Sequence, residues 1–169
     1  MKANTLNNNA KAFDATVNHT IASGMYMIAR LQGRGILFHD DLTNNMVDVT
    51  EHLMTCGFNV TYAHTTGDEI SLLFHIDEDS YHRRTVEIVS VLAGEASARL
   101  TYIMRQFATF DCKLIALANK RLVKDYFLSR SADVNTVNVW SYWKDFESGR
   151  RELITVSNQK FQDTLHNVN

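Results

Sequence analysis

The chain has 169 residues, 45% of them hydrophobic, 21% charged and 10% aromatic, with a formal net charge of −2. This length and balance suit one globular domain over 1–169 and exclude a disordered chain. No apolar run reaches the roughly 20 residues of a membrane helix, the opening MKANTLNNN has no apolar core of a signal peptide, and there is no proline for Pro-rich linkers. A cytoplasmic protein without membrane contact is therefore expected. Two cysteines, Cys56 and Cys112, make neither a disulfide framework nor a CxxC zinc site and read as small buried thiols. Charge is uneven: residues 1–80 hold four Lys/Arg and ten Asp/Glu, so most of the 17 cations lie in the second half. Cations gathered on one face there can serve a polyanion even when the whole chain is slightly acidic.

Phe13, Val17 and Ile21 predict a short amphipathic helix over 10–22. MYMIARLQ (25–32) predicts a strand that ends in Gly33-Arg34-Gly35. Leu42, Met46, Val49 and Leu53 recur at helical spacing, with Asp40 or Asp41 at the start and Gly57 past the end. FNVTYAH (58–64) and EISLLFH (69–75) predict a hairpin through Thr65-Thr66-Gly67-Asp68, with Ile70, Leu72 and Phe74 on one face. Ser80 caps a predicted long helix over 80–107, followed by a strand at 110–118 and helices at 121–130 and 132–143. The remainder, from about 148 to 169, is polar, with a helix expected near 158–166. Strand, helix, hairpin, long helix and strand make a βαββαβ order. That is an α+β fold: a palm-like antiparallel sheet with helices packed on one face.

Asp68-Glu69 is the chemical focus. Strands in a sheet lie about 4.8 Å apart, so this hairpin tip can face the end of the first strand at Gln32-Gly33. Carboxylates grouped there suit Mg²⁺, which takes one or two of them together with substrate phosphates. The backbone at Gly33 and Gly35 can approach a polyphosphate without side-chain obstruction. Arg83-Arg84 opens the long helix, where cations oppose the helix dipole; a bound anion is one explanation and a plain exposed pair the other. Trp140 and Trp143, three apart on a predicted helix, suit packing or an oligomer interface.

Several segments come in one order: RLQGRG (30–35), TTGDEISLLF (65–74), Arg83-Arg84, FDCK (110–113), and DYFLSRSAD (125–133) followed by Asn138. Over residues 25–140 this order resembles the tRNA-histidine guanylyltransferase family and its 3′-to-5′ polymerase relatives. The resemblance implies a palm fold, two Mg²⁺ ions, and GTP or ATP as substrates. It also implies transfer of a nucleotide to the 5′ end of a tRNA or similar RNA, and assembly as a dimer or tetramer. By the same resemblance Asp68 and Glu69 are the catalytic metal ligands, joined by the Gly33 backbone, and the backbone at Gly33, Arg34 and Gly35 lines the triphosphate while Arg84 contacts phosphate. Arg83, Arg130, Asp133 and Asn138 fall to RNA binding or structure. Two positions depart from the family pattern. Gln32 stands where a metal-binding Asp is expected, and Glu87 where a Lys is. Both changes weaken a metal–triphosphate site, and His39, Asp40 and Asp41 could supply substitute ligands. An impaired palm domain that still binds RNA or nucleotide is the alternative reading, and a palm-type nucleotide cyclase the third.

Overall fold

The computed structural model describes residues 19–34, 36, 41–133 and 135–157. The elements are β1 (Tyr26–Arg34), α1 (Leu42–Leu53), β2 (Val60–Thr66), β3 (Glu69–Phe74), a 3₁₀ turn (Ser80–Arg83), α2 (Thr85–Met104), β4 (Thr109–Leu117), α3 (Lys120–Arg130), β5 (Asn138–Asp145) and β6 (Arg151–Ser157). They make a six-stranded sheet in the order β4-β1-β3-β2-β5-β6, antiparallel between every pair of neighbours. The first four strands and two helices are the expected βαββαβ unit. No helix among the described residues is long and apolar enough to cross a membrane.

Alternation along the strands sorts side chains to two faces. Met27, Ala29 and Leu31 of β1 join Ile70, Leu72 and Phe74 of β3 in the main core. That core is closed by Met46, Val49 and Leu53 of α1 and by Ile88, Leu92, Ala96 and Leu100 of α2. These two helices occupy one face, as expected. The other face also carries apolar groups, Ile28, Tyr62, Leu73, Trp140 and Tyr142, and α3 covers them with Val123 and Phe127. The Phe127 ring meets Tyr62 edge-on at 5.0 Å.

Two expected helices differ. Residues 19–22, the described part of the helix placed over 10–22, are not helical, and Thr20 forms a β-bridge to Arg84. The helix placed over 132–143 is replaced by β5. Its Val-Trp-Ser-Tyr-Trp run is rich in β-branched and aromatic residues, but burial on both faces erases the alternation that marks a strand. Trp140 is buried against α3, whereas Trp143 on the other face donates its indole N–H to the Val60 carbonyl at 2.9 Å. The polar segment from 148 contributes β6, whose partner is β5; the helix expected near 158–166 lies outside the described residues.

The long helix starts at Thr85 rather than Ser80, because Tyr81, His82 and Arg83 are left-handed, with φ of 54°, 52° and 59°. Such backbone costs roughly 1–2 kcal/mol per non-glycine residue. Glu78 and Arg83 hold it. Burial pushes the Glu78 carboxyl up, but hydrogen bonds from the Ser80 side chain and from the Asn59, Ser80 and Asp79 backbone outweigh this and hold it below its usual range. The buried Arg83 guanidinium donates to the carbonyls of Met25 (2.6 Å), Glu78 (3.0 Å), Ile21 (3.1 Å) and Ile76 (3.3 Å). Arg83→Ala is expected to lower unfolding stability by about 3 kcal/mol, because several buried carbonyls lose their donor together. Denaturant unfolding with an unchanged slope checks this.

Candidate functional site

The second sheet face grades from apolar to charged in three register rows. The first runs Ile115, Ile28, Leu73, Tyr62 and Tyr142. The next runs Lys113, Arg30, Ser71, His64 and Trp140. The last runs Asp111, Gln32, Glu69, Thr66 and Asn138. Each strand thus passes from core residue to polar residue two positions at a time. α3 lies over this gradient, reaching Ser71 with the Tyr126 hydroxyl (2.9 Å) and Glu69 with Arg130 at its C-terminal end.

The acid turn and the glycine bend are immediate neighbours. Thr66 pairs with Glu69, leaving Gly67-Asp68 as the tip, with Gly67 at φ 55°. Gln32 pairs with Glu69, and the Gly33 N–H donates to the Asp68 carbonyl at 2.8 Å. That N–H is therefore already bonded and does not point to a ligand. A Cβ on Gly33 would sit 3.3 Å from the Asp68 carbonyl oxygen and closer still to the Ile36 side chain, so glycine permits this approach.

The carboxylates are engaged. Glu69 Oε2 accepts from Arg30 Nε at 2.7 Å and lies 3.5 Å from Arg130 Nη1; its side chain is 11% exposed. Asp68 Oδ1 accepts from the Gln32 side-chain amide at 2.7 Å. Asp111 accepts from both Arg34 Nε (2.8 Å) and Arg34 Nη2. Lys113 makes no ion pair among the described residues.

The Gln32–Asp68 pair lies between two cavities. One, of about 360 Å³, is lined by Arg30, Gly33, Arg34, Asp111 and Lys113 besides that pair. The other, of about 450 Å³, opens toward Thr66, Glu69, Ser129, Arg130, Asp133 and Thr136. The sequence thus brought together Gln32, Gly33, Arg34, Asp68, Glu69, Arg130 and Asp133. Asn138 sits behind them: its Oδ1 accepts from His64 Nε2 at 2.8 Å and its amide donates to the Thr136 carbonyl, fixing the loop under the second cavity. Gly35, His39 and Asp40 lie outside the described residues, and Asp41 is at the N-cap of α1.

Arg83 and Arg84 are not at this site. Arg83 is tied to Met25, which precedes β1, whereas Gln32 is at the far end of that strand, about 20 Å away at the usual rise. Arg84 bonds the Tyr81 carbonyl and pairs with Glu87 at 2.9 Å, so Glu87 is a partner for Arg84 in the first turn of α2. Arg30 and Asp111 carried no role of their own in the sequence, and Lys113 only that of one cation among those of the second half. Their signal was alternation: Arg30, Gln32 and Arg34 must share a face once 26–34 is a strand.

The side chains can be tested against the expected pair of Mg²⁺ ions. Among the described residues no three His, Cys, Asp or Glu side chains group as a metal site. Asp68 holds an amide, Glu69 holds two guanidiniums, and Gln32 offers only a neutral oxygen. Mg²⁺ demands near-octahedral oxygen ligation and favours carboxylates. The donor set as arranged does not fit two ions.

A family model described as tRNAHis guanylyltransferase (Thg1) matches residues 7–124. The chain belongs to that family. Among solved structures, a bacterial tRNAHis guanylyltransferase (Thg1)-like protein in complex with GTP superposes with a TM-score of 0.81 at 18% identity, covering 96% of this chain and 95% of that one. A bacterial Thg1-like protein in complex with ATP gives 0.69 at 22% identity, covering 76% and 64%. The tRNAHis guanylyltransferase of Saccharomyces cerevisiae gives 0.62 at 15%, covering 69% and 61%. This Thg1-family chain therefore spans less than two thirds of the latter two. At these identities the likeness establishes the fold. Comparison with curated proteins gives no match.

Behind the site of this family member, His64 is buried against Trp140 with ring centroids 4.1 Å apart. Burial lowers its pKa from 6.5 to about 4; the Asn138 hydrogen bond raises it somewhat and Arg130 lowers it further. The folded ring stays neutral while the unfolded one takes a proton below pH 6.5. Stability is therefore complete above that pH and falls as pH drops toward 4, by about 3 kcal/mol. His64→Asn should remove this slope, and unfolding titrations of both proteins between pH 7 and 4 check it.

Proposed function

We propose that this protein binds a nucleoside triphosphate, GTP or ATP, in the cavity beside the Gly33 bend and joins its nucleotide to the 5′ end of a tRNA or tRNA-like RNA. The observation that carries this is the hydrogen-bonded contact of the Gly33 bend with the Asp68 turn, with a cationic cavity on one side and a mixed polar cavity on the other. In this reading Arg30, Arg34 and Lys113 hold the polyphosphate. The RNA end enters past Ser129, Arg130 and Thr136. The two meet at Gln32–Asp68. Attack of the RNA 5′-phosphate oxygen on the α-phosphorus of a triphosphate forms a phosphoanhydride P–O bond, breaks the bond to pyrophosphate and so activates the RNA end. The 3′-hydroxyl of the nucleotide to be added then attacks the RNA 5′-phosphorus, its proton passes to solvent, and the activating nucleoside monophosphate leaves. Fixed cations around the leaving pyrophosphate stabilise the charge that develops there. The coarse class, a Thg1-type nucleotidyltransferase, agrees with the family of the chain.

A second reading keeps nucleotide and RNA binding but loses transfer. The Gln32 amide supports it, since it occupies the carboxylate of Asp68 where the family pattern places a second acid.

Labelled GTP or ATP incubated with 5′-monophosphate tRNA separates the two. Label on the RNA supports transfer, and retention on the protein without transfer supports the second reading. Lys113→Gln is expected to weaken triphosphate binding roughly tenfold with unchanged folding, since it removes one charge-assisted contact. Asp68→Ala removes the acceptor that fixes the Gln32 amide between the two cavities, and lowers transfer by roughly a hundredfold because the reacting groups are no longer held in position there. Calorimetric titration and the transfer assay are the respective checks.

A further inference from the structure

We infer that guanidinium groups take the place of protein-held metal ions here, so that the site binds the triphosphate of a nucleotide without a divalent cation. The inference rests on the nucleotide reading above and deepens it. Its basis is the charge and the pairing of the groups around Gln32.

A site that holds two divalent ions needs an excess of carboxylates. Around the Gly33 cavity the balance is reversed among the described residues: Arg30, Arg34 and Lys113 line it with Asp68 and Asp111 as the acids. Both acids are already bonded, one to the Gln32 amide and one to Arg34. Glu69, the next acid, is closed from behind by Arg30 and Arg130. Four further positive charges from two magnesium ions would enter a neighbourhood whose negative charge is already compensated. They would also have to displace Gln32 from Asp68, leaving a neutral amide as the replacement ligand.

A polyphosphate meets the opposite situation. Lys113 has no competing ion partner among the described residues, and Arg34, although paired, has its side chain 64% exposed at the rim of the cavity. Guanidinium and ammonium groups bond phosphate oxygens strongly. Gln32 fits this arrangement, because a carboxylate at its position would face the polyphosphate with a like charge.

The test is calorimetric titration of the full chain with GTP, once with excess Mg²⁺ and once with EDTA, repeated on Gln32→Asp. The inference expects wild-type Kd values within about threefold of each other in the two buffers, because the cations of the site are covalently part of the chain. It expects Gln32→Asp to weaken binding in EDTA roughly tenfold and to recover in Mg²⁺, since one added negative charge must then be neutralised. Wild-type binding that requires Mg²⁺ overturns the inference and leaves the nucleotide reading standing. Absence of GTP binding in both buffers overturns both. Unchanged EDTA affinity in a folded Gln32→Asp protein, verified by its unfolding curve, also overturns it.

Discussion

The arrangement depends on one nearly buried carboxylate. Glu69 opens β3 opposite Gln32, where the apolar core of the sheet gives way to charge, and two guanidiniums close on it: Arg30 from the neighbouring strand and Arg130 from α3. An ion pair with so little solvent gains Coulomb energy but loses hydration, so its net contribution to stability is modest. Its geometric consequence is larger. A lone carboxylate at that depth is expensive, by about 3–5 kcal/mol when one partner of such a pair is removed. The contact therefore ties the end of α3 to the beginning of β3. It fixes the walls of the second cavity and aims the Arg30 side chain along the floor of the first.

The same gradient explains why the site forms where it does. α3 covers the apolar row with Phe127 and Val123, bonds the intermediate row through Tyr126, and reaches the charged row only with Arg130. Below it, His64 and Asn138 form a second buried polar contact that anchors the loop between α3 and β5. Beyond the helix end the polar groups of β1, β3 and β4 line the two cavities. At the opposite end of β1, the Arg83 guanidinium performs a different task, gathering carbonyls of the entry segment and of the left-handed turn before α2. Two neighbouring arginines in the sequence thus belong to the frame of the molecule rather than to its cleft.

Much of this was legible in the chain itself. Helical spacing of Leu42, Met46, Val49 and Leu53, the alternation of Ile70, Leu72 and Phe74, and the Gly67-Asp68 turn were sufficient to place α1, β3 and the hairpin. They also placed the acid turn next to the glycine bend. What escaped the sequence was the cross-strand register. Only once Lys113, Arg30 and Ser71 are seen as one row, and Asp111, Gln32 and Glu69 as the next, do the cations become part of the site. Local pattern also failed at β5, where Trp140 and Trp143 serve opposite faces, and at Ser80, where backbone strain delays the helix. The exchange of Asp for Gln at position 32 was visible from the family pattern. Its consequence, an amide bonded to Asp68, required the fold.

The most direct measurement is a crystal structure of the protein with GTP bound. The account predicts the triphosphate in the cavity beside the Gly33 bend, with its oxygens within hydrogen-bond reach of Lys113 and Arg34 and with the Gly33–Asp68 contact and the Arg30–Glu69 pair intact. A triphosphate bound at the Arg83–Arg84 end of β1, or one seated only after Arg30 and Arg130 have released Glu69, would contradict it.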